Sequence, residues 1–155
     1  MKTTTPRYMA VQGAALLVAC VFLTVGLLGF IPGVTTDYGL LQWAGHQPAA
    51  KLFGVFAVSG LHNVVHLTFG VVGLVLTRSY ASARAYLIGG GLAYLALWLG
   101  GLLIGHIRAN VGQLSTADHL LHFGLGAAMV VLGLTLAGQR DPTKRRRSPR
   151  SAPGL

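Results

Sequence analysis

Long apolar runs separated by short polar stretches dominate this chain. Four stand out, at about residues 9–31, 52–76, 86–104 and 119–137. Each is close to the ~20 residues needed to cross a bilayer core of ~30 Å. A backbone surrounded by hydrocarbon has no water to bond, so such runs are expected to be helices. The pattern predicts an all-α fold, a bundle of four transmembrane helices over residues 9–137. Residues 1–8 form a short N-terminal segment, and residues 138–155 form a polar tail with three prolines, expected to be disordered.

Polar residues inside the runs are few and patterned. In LHNVVHLTFG, residues 61–70, His62 and His66 are one helical turn apart with Asn63 beside them. ADHLLHFGLG, residues 117–126, repeats the layout: Asp118 falls on His62, His119 on Asn63, His122 on His66 and Gly126 on Gly70. One copy sits in the second run and the other at the start of the fourth. This suggests two helical hairpins in the same orientation, related by an axis along the membrane normal, as in parallel repeats.

Steps of three and four place Ser59, His62, His66, Gly70 and Gly73 on one face. They do the same for Ser115, His119, His122, Gly126, Met129 and Gly133, and for Gly91, Tyr94, Trp98, Gly101 and Gly105. Gln12, Ala15 and Ala19 complete an interior from the first run. Small residues allow close helix approach, and polar ones bond across the gap. These faces are expected to point inward.

Composition agrees. Charged residues make up 10% of the chain and hydrophobic residues 53%, against about 25% charged in a soluble domain. The net charge of +9 would suit nucleic acid, but five of the twelve basic residues lie within 144–150. Such a tail beside a membrane helix is expected to contact anionic lipid, not nucleic acid. With both termini inside, ten Lys/Arg face the cytoplasm and only Lys51 and Arg108 face outward. That bias predicts cytoplasmic termini, outer connections at 32–51 and 105–118, and antiparallel second and third helices across the short link 77–84.

Cys20, the one cysteine, rules out an internal disulfide and is expected to be a buried small hydrophobe. Leu17-Val18-Ala19-Cys20 resembles a lipoprotein cleavage box, but the apolar run continues ten residues further, which favours a span. Ser115 to Asp118 fits a capping box before the fourth helix.

Several segments together carry a resemblance: LGFIPGV, LHNVVHLTFGVVGL, YLALWLGGLLIG and ADHLLHFGLGAAMVVLG. Over residues 8–137 the chain resembles the bacterial membrane family called domain of unknown function four-three-eight-three. The resemblance implies four transmembrane helices in a bacterial plasma membrane, and it carries over no known activity, cofactor or catalytic residue. At the position of His119 it implies an amide or other polar residue as well as histidine, so His119 is not counted as a site residue.

Two functional readings follow. In the first, the chain is a non-enzymatic structural or accessory component of the membrane, with no cofactor. His62, Asn63, His66, Asp118 and His122 then form a hydrogen-bond cluster between the second and fourth helices. A second copy or another membrane protein is its expected partner. In the second, the same cluster serves a redox or transport protein, binding haem or a metal through His66 and His122, or relaying protons or a small ligand.

Overall fold

The computed structural model describes residues 9–44, 49–107 and 116–136. The expectations for the 138–155 tail, the basic run 144–150 and the Ser115 end of the capping box lie outside these residues. Four helices form: α1 over Ala10–Leu28, α2 over Gly60–Leu76, α3 over Tyr80–Ile107 and α4 over Thr116–Thr135. Three, α1, α3 and α4, are long and apolar enough to cross a membrane, and α2 is a shorter apolar helix. Its 17 residues span about 26 Å, just under the hydrocarbon thickness.

The start of α2 differs from the sequence reading. The apolar run begins near residue 52, but residues 51–52 and 56–57 pair as strands. β1 (Thr35–Thr36), β2 (Lys51–Leu52) and β3 (Phe56–Ala57) make a small antiparallel sheet in the order β1-β2-β3. The turn between β2 and β3 places Phe53 at φ 52° and Gly54 at φ 71°. A left-handed pair of this kind stops a helix from running through. α2 then starts behind an N-cap. Ser59 Oγ accepts from the His62 amide at 3.2 Å, and the Gln42 and Trp43 carbonyls accept from Gly60 and Leu61 at 2.9 and 2.8 Å. The first amides of α2, which have no partner within the helix, are thereby satisfied.

Packing falls into two antiparallel hairpins, α1 with α2 and α3 with α4. In the first, an added Cβ at Gly26 would lie 2.9 Å from the Asn63 carbonyl oxygen, and one at Gly70 would lie 2.9 Å from the Leu23 nitrogen. In the second, a Cβ at Gly91 would lie 2.8 Å from the Gly126 carbonyl oxygen. Backbones this close leave no room for a side chain, which is how small residues lock membrane helices. Gln12 ties the far end of the first hairpin, donating from Nε2 to the Thr77 carbonyl at 2.9 Å while its Oε1 accepts from the Met9 amide at 3.0 Å. Between the hairpins, α2 and α3 run antiparallel, with Tyr86 Oη donating to the Phe69 carbonyl at 3.3 Å.

The main core joins all four helices, with Val18 and Phe22 of α1, Tyr86, Leu87 and Tyr94 of α3 and Met129 of α4 buried together and Phe69 of α2 packed against them. A second core of Ala50, Leu52 and Val58 seats the small sheet on Val25 and Leu28 of α1. Ala15 and Ala19 are buried as the helical face predicts. Cys20 is exposed instead of buried, because Ala19 and Phe22 take the inward positions and turn residue 20 out toward the surroundings.

Candidate functional site

The sequence copies at 61–70 and 117–126 fold into matching local geometry. His66 sits one turn after His62, and its Nδ1 donates to the His62 carbonyl oxygen at 2.9 Å. His122 sits one turn after Asp118, and its Nδ1 donates to the Asp118 carbonyl oxygen at 2.6 Å. A carbonyl can only accept, so both rings carry a proton on Nδ1, and in the neutral form Nε2 carries the lone pair. Gly70 and Gly126, the next paired positions, each carry the close approach within their own hairpin. Asn63 and His119 also pair in an unexpected respect. Both Asn63 amide atoms and His119 Nδ1 are buried without a hydrogen-bond partner among the described residues.

Each hairpin adds an aromatic ring from its first helix. Phe22 of α1 lies 5.4 Å from the His66 ring, and Tyr94 of α3 stacks on His122 at 5.2 Å and 17°. The two halves meet where Tyr94 Oη donates to His66 Nε2 at 2.9 Å. Phe22 and Tyr94 themselves touch edge to face at 5.2 Å. His62 stacks on His66 at 4.3 Å and meets His122 at 5.9 Å and 86°. The cluster is thus a ring of aromatic and imidazole contacts across α1, α2, α3 and α4.

Of the five expected site residues, three come together: His62, His66 and His122. Asn63 is 0% exposed, yet it lies on the α1 side of α2, against Gly29, where a Cβ would collide with its amide. Asp118 is buried in the first turn of α4, where a carboxylate suits the helix dipole, and it reaches His122 through its backbone oxygen. Tyr94 is the missing member. It was legible as part of the inward face of the third helix, and its hydroxyl was a hint that the face carries a hydrogen bond.

The expected metal pair His66 and His122 is not equally available. Both His66 nitrogens are engaged, one by the His62 carbonyl and one by Tyr94. Binding a metal there would require the Tyr94 bond to break. Among the described residues, no group of three or more His, Cys, Asp or Glu is placed to hold a metal ion.

Beside the cluster lies a cavity of about 320 Å³, whose polar wall is Ser59, His62, His66, Tyr94, His119 and His122. It sits at the end of the bundle that carries the sheet. No curated protein and no solved structure matches the chain. A family model does, over residues 12–135, from the middle of the first helical turns of α1 to the end of α4. The chain, with its apolar helices and its paired histidine elements, belongs to the family Domain of unknown function (DUF4383).

Proposed function

We propose that the protein is a non-enzymatic, multipass component of a bacterial plasma membrane, with both termini cytoplasmic, whose polar cluster joins two helical hairpins. The observation that carries this reading is the bond from Tyr94 to His66 Nε2. It is a buried bond between side chains of the two hairpins, and it closes a histidine already held by its own helix. Such bonds are a normal means of holding membrane helices in register. The basic tail would add contact with anionic lipid, at about 1 kcal/mol per Lys or Arg near the surface. A second copy or another membrane protein would complete the assembly.

The test is the purified full chain in mild detergent, compared with His66→Gln and His122→Gln. The expected wild type is colourless and free of stoichiometric metal, and the His66 variant melts at lower temperature. A visible chromophore or a bound metal that disappears in variants with intact helices would sink this reading and restore the redox one.

A further inference from the structure

The two halves of the cluster are alike except at one position. Tyr94 sends its hydroxyl to the histidine of the other hairpin, while Phe22, the ring facing His66, has no hydroxyl to return to His122. His66 is therefore closed and His122 is open. Nδ1 of His122 is spent on the Asp118 carbonyl, and its Nε2 has no hydrogen-bond partner among the described residues. This nitrogen belongs to a ring in the cavity wall. In the neutral ring, with its proton held on Nδ1, this nitrogen is a lone pair in a fixed direction, able to accept and unable to donate.

The rest of the cavity narrows what it accepts. Its other lining residues, Leu61, Val65, Leu97 and Trp98, are apolar or aromatic. Leu61, Val65 and Leu97 are exposed, at 46%, 39% and 61%, and they stand on helices whose outer faces are apolar. The cavity therefore has an apolar rim on the faces that hydrocarbon would surround. Among the described residues no Lys, Arg, Asp or Glu lines it, so a charged occupant would lose its hydration with none of these side chains to replace it. Flat rings form the inner wall: Tyr94 stacked on His122, and Trp98 against Phe123 at 4.9 Å. The volume is at the small end of the range for small-molecule sites.

We propose that this cavity binds the hydroxylated aromatic ring of a neutral, membrane-soluble molecule, of the phenol or hydroquinone class, whose hydroxyl donates to His122 Nε2. His62, whose ring has no hydrogen-bond partner among the described residues, stands at the same wall to take a second polar group. The inference deepens the reading above and rests on it, because the Tyr94 clasp is what closes His66 and leaves His122 as the acceptor.

The test uses the full chain in detergent micelles with ¹⁵N-labelled histidine, titrated with p-cresol. Two comparison probes are 4-methylanisole, with the ring and no donor, and 1-octanol, with the donor and no ring. Saturable p-cresol binding is expected to move the His122 Nε2 resonance and leave that of His66 in place. Both comparison probes should bind at least about tenfold more weakly, as should p-cresol to His122→Phe, since a site built for a hydroxyl rejects the molecule lacking it. Equal binding of either comparison probe, an undiminished His122→Phe, or a p-cresol shift that never saturates would overturn the proposal. If His122→Phe fails to fold, the three probes on the wild type decide alone. Tyr94→Phe separates the two readings. An unchanged melting temperature there refutes the hairpin clasp, whereas the ligand proposal falls on the probe titrations of the wild type and of His122→Phe.

Discussion

Asn63 is a costly residue. Its side chain is 0% exposed, and neither amide atom has a partner among the described residues. An unpaired buried polar group costs about 1–3 kcal/mol. Leucine has nearly the same shape without the polar atoms, so Asn63→Leu is expected to raise the unfolding midpoint in detergent, by up to that amount. A lower midpoint would show that the amide has a role its neighbours do not reveal. Tyr94→Phe should act in the opposite direction. It removes a hydroxyl that donates to His66, and hydrogen bonds between membrane helices are worth about 0.6 kcal/mol on average. A double-mutant cycle with His66→Leu should recover a coupling of that order, and zero coupling would place the clasp outside the energetics of the fold. Why Asn63 and His66 part company was not readable from the sequence. They are three residues apart and share the inward half of α2, but one side meets α1 at Gly29 and the other meets α3 at Tyr94. Periodicity identifies the inward half and says nothing of which neighbour each residue meets.

The helices themselves were legible because hydrocarbon imposes a strong constraint. The four runs match four helices, and the inward stripes of Ala15, Gly70, Gly91, Gly126 and Met129 are buried or in close contact. The sheet was not legible. Strands of two residues carry no alternation to detect, and KLFGVFAV reads as apolar helix until the left-handed turn at Phe53 and Gly54 is seen. The hairpins make the sharpest prediction about elements. A Cβ at Gly70 would sit 2.5 Å from Leu23 Cγ and 2.9 Å from its backbone nitrogen, whereas one at Gly89 or Gly124 would meet nothing within 4 Å. Gly70→Ala should therefore destabilise by roughly 1–3 kcal/mol through overpacking. Gly89→Ala and Gly124→Ala should be neutral or slightly stabilising, since Ala loses less backbone entropy in a helix. Thermal melts of the three variants rank them, and equal melts would mean that the hairpin contacts are looser than they stand here. Exposed hydroxyls on these helices follow the same economy of bonding. Thr68 and Thr135 each donate to the carbonyl one turn back, at 2.9 and 2.7 Å, which suits side chains that face no water.

At the scale of the whole molecule, the antiparallel order brings the start of α1, the end of α2, the start of α3 and the end of α4 to one end. The sheet, the histidine cluster and its cavity lie toward the other. Lys2, Arg7, Arg78, Arg84 and Arg140 belong in sequence to the first end, as does the basic run 144–150, while Lys51 and Arg108 belong to the second. Charge therefore predicts that the cavity end faces outward. Arg84 follows this arrangement, its Nε donating to the Gly133 carbonyl at 3.3 Å near the end of α4. Orientation can be tested with thiols, because the chain has a single cysteine to remove. In a Cys20→Ser background, Val55→Cys lies on the exposed turn of the sheet and Ala81→Cys on the exposed first turn of α3. A charged maleimide that cannot cross the membrane should label Val55→Cys on intact cells and Ala81→Cys only after lysis. Labelling of Ala81→Cys alone on intact cells would invert the topology. It would then place the cavity mouth in the cytoplasmic leaflet, so that any hydroxylated ring would have to reach His122 from that side.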